Sequence, residues 1–364
     1  MRVCVVSLRL PSFYGVTETA DFGGAEVQAA FVADALRAAG ADVVLAVADL
    51  PAGAKLPYPA ESAFSTADGI AGLRFFHPRW SGIMAALARA DADVYHQHCA
   101  GMITGLVARF CRHHGRAFVY GAGSDGDFHT RDVAIDGARD RLLYRYGLRH
   151  TTGIVVQNQK QLAAARPLGK PVRLIPTGVR PVDPDDGDVH DVIVWIGSLW
   201  TLKRPDRLLE LARRLPERKF VVMGGDFPSE PAYSARIRAE AAQLANVTIT
   251  GRRPNHEVQA ILQRAAVLVN TSDVEGFPNA YLEAWSLRVP VVALHDIDGI
   301  IESSDVGVIA KTMDDMEKAV RWLEDDSVRR TMGEAARRYA LDRFSPERLG
   351  AEYMEFFSGL LDAR

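Results

Sequence analysis

Short runs of β-branched and other apolar residues alternate with longer amphipathic stretches along this chain, twice over, with an acidic break between the two series. That pattern excludes all-α and all-β architectures. It leaves parallel sheets with helical crossovers, because a parallel strand pair needs a connection long enough to carry the chain back across the sheet. In the first series the pattern predicts strands over 2–7, 42–48, 93–96, 117–120 and 153–157. A helix is expected over 25–39, apolar at Val27, Phe31, Val32, Ala35 and Leu36 and ended by Gly40, with others over 103–114 and 139–149. The break is Pro181-Val182-Asp183-Pro184-Asp185-Asp186-Gly187-Asp188, which has a single apolar residue and cannot fold by itself. The second series predicts strands over 192–196, 219–223, 247–250, 266–270 and 291–294. Helices are expected there over 205–215, 231–244 and 257–263, with one opening at Pro278.

At 364 residues the chain exceeds one ordinary core. The expected division is a domain over 1–180, a linker over 181–190, a second domain over 191–344 and a terminal amphipathic helix over 345–364 that suits either domain. A formal charge of -3 gives no general affinity for nucleic acid, so any anion site must be local. Cys4, Cys99 and Cys111 lack metal-ligand spacing and fit a reducing compartment. The first residues read as a strand rather than a signal peptide, and no apolar run approaches the ~18 residues of a membrane span. A cytoplasmic protein is expected.

Ligands in open α/β sheets bind beyond the carboxyl ends of the strands, and polar or glycine-rich segments stand at several such ends. Glu275 and Glu283 are eight apart in Val274-Glu275-Gly276-Phe277-Pro278-Asn279-Ala280-Tyr281-Leu282-Glu283, directly after the strand over 266–270. Were both helical they would sit about 80° apart around the axis. Pro278 argues otherwise, because proline favours the first helical position, where its missing N–H is not needed. Glu275 is then a loop residue, and Glu283 lies in the second turn of the helix. The free N–H groups of the helix start between them offer an anion site. Two hydroxyl-binding acids flanking an anion site match the order of groups in a nucleotide sugar. Acids near a helix start also serve the helix dipole alone.

Gly197-Ser198-Leu199-Trp200-Thr201-Leu202-Lys203-Arg204-Pro205-Asp206 follows the strand over 192–196. The Lys203 ammonium suits a diphosphate, whereas Arg204 and Arg207 read as solvated helix-face charges. Gly23-Gly24-Ala25-Glu26 lets a backbone approach a ligand, or is an ordinary helix start. It does not form a dinucleotide fingerprint. His96 and His98, two apart on a strand, point the same way. They line a polar site or are hydrogen-bonded structural histidines, and a metal would need a third ligand that is not evident. Tyr120-Gly121-Ala122-Gly123-Ser124-Asp125-Gly126-Asp127 suits an acceptor sugar or a general base, and equally a plain turn. Thr250-Gly251-Arg252-Arg253 flanks a base or phosphate, or is surface charge.

On these residues the chain resembles glycosyltransferase family 4, the retaining GT-B glycosyltransferases, over nearly its whole length. Gln157-Asn158-Gln159-Lys160-Gln161, Ile175-Pro176-Thr177-Gly178-Val179 and Phe344-Ser345-Pro346 carry the likeness further. The resemblance implies an α/β protein of two Rossmann-like, doubly wound domains with parallel sheets facing a central cleft. The terminal helix would pack back on the first domain. The implied activity is transfer of a sugar from a nucleotide-sugar donor to a hydroxyl on a glycan, a lipid-linked sugar or a small molecule. By resemblance, Glu283 would bind the donor ribose and Glu275 the transferred sugar. Gly276, Phe277, Pro278, Asn279 and Ala280 would meet sugar and phosphate. Lys203 would neutralise the diphosphate, and Gly23 and Gly24 would approach it. No metal and no cofactor are implied. Two departures stand out. Ser198 occupies the place of a frequent phosphate-binding arginine, for which Arg204 or Arg252 would substitute. Ser124 and Asp125 stand where the family often carries a histidine.

Phe75, Phe76, His77, Arg79 and Trp80, with Arg139, Arg141, Arg145 and Arg149, either contact an anionic membrane on the cytoplasmic face or are core aromatics and solvated arginines. Rival readings are an epimerase or glycan phosphorylase on the same plan, or a non-catalytic nucleotide-sugar binder. The first would convert donor without acceptor, the second would hold pyridoxal phosphate, and the third would bind without turnover.

Overall fold

The β-branched runs form the strands of two sheets, and every strand pairing within them is parallel. The computed structural model describes residues 1–17, 22–128, 135, 137–184, 190–275 and 277–364. Gly276 and residues 185–189 of the expected linker lie outside them. Two units are distinguished, one of Met1–Gly178 with Pro346–Arg364 and one of Val179–Ser345.

In the first unit the strands are β1 (Arg2–Val6), β2 (Asp42–Val47), β3 (Ala60–Ser62), β4 (Val94–His98), β5 (Ala117–Gly121), β6 (Gly153–Val156) and β7 (Val172–Leu174). Their order across the sheet is β3-β2-β1-β4-β5-β6-β7. The second unit contains β8 (Val192–Ile196), β9 (Lys219–Met223), β10 (Val247–Gly251), β11 (Ala265–Asn270), β12 (Val291–Ala293) and β13 (Gly307–Ile309), ordered β10-β9-β8-β11-β12-β13. Central strands such as β5 and β12 are buried along their whole length, which is why they read as unbroken apolar runs rather than alternating ones. Strand order reverses between β1 and β4 in one sheet and between β8 and β11 in the other. Such switch points are where open α/β sheets hold ligands.

Helices cover the sheets by close approach. The terminal helix Pro346–Asp362 packs on Gly24–Ala38 within the first unit. At Gly350 a β-carbon would lie 2.0 Å from the Ala35 carbonyl oxygen, so only glycine admits this crossing. Leu349, Tyr353, Phe357 and Leu360 are its buried face. In the second unit Asp326–Phe344 packs on Asn279–Ser286, and the Trp285 indole N–H donates to the Val306 carbonyl at 2.9 Å. Among the described residues no helix is long and apolar enough to cross a membrane.

Candidate active site

At the switch point of the second sheet, the segments leaving β8 and β11 are fastened to each other. The Asp273 N–H donates to the Leu202 carbonyl at 2.9 Å. The Thr271 hydroxyl is shared between the carbonyls of Lys203 (3.0 Å) and Arg204 (2.8 Å), and accepts the Trp195 indole N–H at 3.0 Å. Asp273 is gripped by Arg204 at 3.2 Å and by Arg207 at 2.6 Å, and Arg204 also binds Asp206. Arg204 and Arg207 are therefore not the solvated helix-face charges expected from sequence. They are committed to Asp206 and Asp273, and Arg204 is no spare phosphate cation. Arg252 is exposed, alongside Gly225, where a β-carbon would lie 2.8 Å from its Nε.

This fastening fixes Lys203 against Glu275. The ammonium donates to both carboxylate oxygens, at 2.7 and 2.6 Å. The Glu275 Oε1 atom also accepts from Asn270 Nδ2 at 3.1 Å and from the Ser272 hydroxyl at 2.6 Å, while Asn270 Oδ1 accepts the Ser272 N–H at 2.9 Å. Glu275 is 9% exposed, so its charge is supported by hydrogen bonds rather than by water. Such a carboxylate is held in one place because leaving it unpaired in low dielectric is expensive. Sequence reasoning named Lys203 and Glu275 separately. It missed their contact and missed Asn270, Thr271, Ser272 and Asp273. The available signal was four consecutive polar residues at a strand end.

The helix carrying Glu283 is Asn279–Ser286, one residue later than expected. Pro278 caps it with extended backbone (φ -70, ψ 118) and gives its carbonyl to the Tyr281 N–H at 3.0 Å. The N–H groups of Asn279 and Ala280 follow at the helix start. The Phe277 ring is buried against Phe344, 5.3 Å between ring centres, which leaves its backbone as the part a ligand could meet. Glu283 is half-buried with no side-chain hydrogen bond among the described residues, and burial pushes its carboxyl up to about 7.

In the first unit Gly23 and Gly24 are exposed at the start of Gly24–Ala38. The buried Glu26 carboxylate caps that start, accepting the Gly23 N–H at 2.7 Å and pairing with Arg9 at 3.1 Å. His96 and His98 both face Gly121, where a β-carbon would lie 2.9 Å from His96 Cε1 and 2.8 Å from His98 Nδ1. Their fates differ. His96 is sealed in the core against Tyr353 and Phe357, and neither ring nitrogen makes a hydrogen bond of good geometry. Burial drives its pKa down to about 3, a loose approach to the Val119 backbone offsetting little of this. It is thus a neutral core residue rather than an acceptor-facing one. His98 is half-buried, and desolvation lowers it to about 4.

The loop of Ser124 and Asp125 is a closed network. Asp125 accepts from Asn158 at 3.0 Å and Gln161 at 3.3 Å, and pairs with Lys160 at 3.0 Å. Asp127 accepts from the Tyr120 hydroxyl at 2.7 Å and from the N–H groups of Gly123 (2.8 Å) and Ser124 (3.3 Å). Burial raises the Asp127 carboxyl. Asp125 is therefore taken up in shaping the loop, which corrects its reading as a general base. The Ser124 hydroxyl accepts the Gly126 N–H at 3.2 Å. Among the described residues no group of three His, Cys, Asp or Glu side chains is placed to hold a metal ion.

Residues 22–182 match the family model described as Glycosyltransferase Family 4, and residues 190–326 match the one described as Glycosyl transferases group 1. The chain belongs to glycosyltransferase family 4. Solved structures similar to this family 4 chain are GT-B proteins. Sucrose-phosphate synthase from Thermosynechococcus elongatus superposes with a TM-score of 0.74 at 19% identity, covering 100% of both chains. The Anabaena protein HepE, solved in complex with UDP and glucose, gives a TM-score of 0.74 at 15% identity, over 99% of this chain and 100% of that one. At these identities the likeness is one of fold. By sequence, the GDP-mannose-dependent alpha-(1-6)-phosphatidylinositol monomannoside mannosyltransferase of Mycolicibacterium smegmatis is 29% identical over 48% of this chain and 49% of its own length. Glycosyltransferase 1 domain-containing protein 1 of Xenopus tropicalis is 28% identical over 44% of this chain and 48% of its own. The family 4 chain thus spans about half the length of the curated relatives it matches.

Proposed function

We propose that this protein transfers a sugar from a nucleotide diphosphate sugar to a hydroxyl acceptor, with retention at the anomeric carbon and without a metal or cofactor. The observation that carries this reading is the Lys203–Glu275 pair at the switch point, two charges already locked to each other where a ligand would sit. The diphosphate replaces Glu275 as the partner of Lys203. Glu275, still held by Asn270 and Ser272, turns its freed oxygen to a sugar hydroxyl. Glu283 accepts from the ribose hydroxyls. Backbone N–H groups at Asn279 and Ala280 donate to the phosphate oxygens.

In the reaction the bond between the anomeric carbon and the diphosphate oxygen breaks, and its electron pair stays on the phosphate. Lys203 stabilises that charge as it forms, which lowers the barrier because the donor is oriented beforehand, and Arg252 is a second candidate cation. The acceptor oxygen bonds to the same face of the anomeric carbon, and its proton passes to the leaving phosphate oxygen. The acceptor is a hydroxyl on a glycan, a lipid-linked sugar or a small molecule, with His98 and Ser124 as candidate acceptor-side groups. The setting is cytoplasmic. HepE was solved with UDP and glucose, whereas the mycobacterial relative is named for GDP-mannose, so the base is chosen by experiment.

The experiment is a thermal-shift series with UDP, GDP, ADP and dTDP sugars, followed by nucleotide release with candidate acceptors and determination of the product's anomeric configuration. A donor that stabilises wild type but not Glu283→Ala, and whose turnover Lys203→Ala largely abolishes, supports the proposal. If no donor stabilises the protein, or the variants respond like wild type, the reading fails.

A further inference from the structure

Among the described residues the four most exposed large apolar side chains are Ile70, Leu142, Phe76 and Leu73, at 72%, 69%, 65% and 56%. They belong to two neighbouring segments of the first unit. In one, the Leu73 N–H donates to the Ile70 carbonyl at 3.0 Å and the Phe76 N–H to the Leu73 carbonyl at 2.9 Å. The first bond closes a reverse turn with Gly72 at φ 84, and the second leads into Phe75–Trp80. These consecutive turns hold Ile70, Leu73 and Phe76 together in one short exposed apolar segment, a ridge on the first unit. Beneath it, Phe75 packs on Phe76 and Trp80, with ring centres 5.2 and 5.8 Å apart. The Arg139 guanidinium lies 4.1 Å above the Phe75 ring and ties the ridge to the helix Ala138–His150. Leu142 and Arg145 follow Arg139 at helical neighbour spacing on the exposed side.

The charge around this ridge is one-sided. Residues 69–80 and 137–150 together hold six arginines and a single acid, Asp140, and that acid is already paired with Arg139. Arg79, Arg141 and Arg145 have no ion pair among the described residues. A protein that exposes phenylalanine, leucine and isoleucine this fully loses free energy to water unless something covers them. Apolar tips ringed by arginines fit the boundary of a bilayer, where hydrocarbon lies below and anionic headgroups lie above.

We propose that this ridge and the adjoining helix face dock on an anionic phospholipid surface. Ile70, Leu73, Phe76 and Leu142 enter the acyl boundary, and the surrounding arginines bind headgroup phosphates. This deepens the proposed function by favouring a lipid-linked acceptor, and only that identification rests on the transferase reading. Flotation of the full chain with vesicles tests it, using phosphatidylcholine alone or mixed with phosphatidylglycerol. Wild type floats with the mixed vesicles at low salt, stays behind with neutral ones, and is released as salt rises. Leu73→Ser combined with Phe76→Ser lowers partitioning more than about tenfold. Arg141→Gln and Arg145→Gln each lower it about fivefold. All variants keep the wild-type melting temperature and nucleotide-sugar stabilisation, so a failure to bind lipid is separable from a failure of the donor site. The proposal is overturned if wild type ignores anionic vesicles, or if the ridge variants float as well as wild type. Sedimentation showing a dimer that the ridge variants abolish would also overturn it, since the ridge would then cover itself with a second copy.

Discussion

At the residue scale, the central fact is that Lys203 and Glu275 neutralise each other across 72 residues of sequence. Each residue type was legible as a ligand group from its place after a strand. The bond between them was not, because only the strand order that sets β8 beside β11 brings the two segments together. Asn270 and Ser272 lie only five and three residues before Glu275, so what hid them was not strand order but the local turn that folds their side chains onto its carboxylate. If Lys203 stabilises the leaving phosphate, Lys203→Ala lowers kcat about 10²–10³-fold with a smaller effect on KM, measured by nucleotide release. Ser272→Ala removes one of the hydrogen bonds that aim Glu275, and lowers kcat by about tenfold without affecting donor affinity. Glu283 makes a pH-dependent prediction. Its folded carboxyl titrates near 7, raised by burial, so ionising it opposes folding. Its contribution to the unliganded protein's stability is complete below the ordinary carboxylate range and is lost as pH rises through about 7. Donor binding needs the ionised form. Affinity for a nucleotide sugar, whose phosphates do not titrate in this window, should therefore fall as pH drops from 8 to 6, by nearly tenfold per unit below about 7. Glu283→Gln should flatten both curves in calorimetry. A wild-type slope in that variant would remove Glu283 from the site.

At the element scale, long periodic segments were readable and short edge segments were not. The helices Gly24–Ala38 and Pro346–Asp362 and the strands of both sheet centres follow from apolar spacing alone. β3, β7 and β13 escaped because each is only three residues long and none is fully buried, although Val306-Gly307-Val308-Ile309-Ala310 around β13 is an apolar run. The helices Met313–Trp322 and Asp326–Phe344 escaped as well, the second because its buried face is largely small residues such as Gly333, Ala336 and Ala340. The loop after β5 read as a turn or a base, since Asn158 and Gln161 come to Asp125 from a helix more than 30 residues away. Thr271 is the element-scale hinge pin of the candidate site, because one hydroxyl serves the Trp195 indole and two carbonyls of the Lys203 segment. Thr271→Val keeps the shape and strands those three groups. We expect a loss of about 1–3 kcal/mol in denaturant unfolding, together with lower turnover because Lys203 is no longer fixed. An unchanged unfolding midpoint would show that the two segments are held by Asp273 and its arginines alone.

At the scale of the whole molecule, the first unit is not contiguous in sequence, and that has a consequence for folding. Residues 1–178 present a helix surface at Ala35 and a histidine ring at His96 against which Gly350, Tyr353 and Phe357 from the last stretch of the chain pack. His96 then has its meaning at this scale. It is a polar ring with no good hydrogen bond, tolerated because the terminal helix keeps it dry and uncharged. Removal of residues 346–364 uncovers the apolar face and lets water reach His96. In the full chain the buried His96 stays neutral down to about 3 while the unfolded chain takes up a proton near the ordinary imidazole value, so the full chain loses stability as pH falls from 7 to 5. An imidazole no longer desolvated titrates nearer that ordinary value, so this source of acid sensitivity should shrink in the truncated chain. We expect the truncated protein to unfold in two steps. The first should come earlier than in the full chain and depend less on acid than full-chain unfolding does, and the second should report the Val179–Ser345 unit. Replacing His96 with Phe in the full chain should remove that acid sensitivity, whereas the same change in the truncated chain should leave the early step in place, because the lost apolar cover is not restored. Calorimetry across that pH range separates these outcomes. A truncated chain that melts in one step at the full-length temperature would mean that the terminal helix does not complete the first unit.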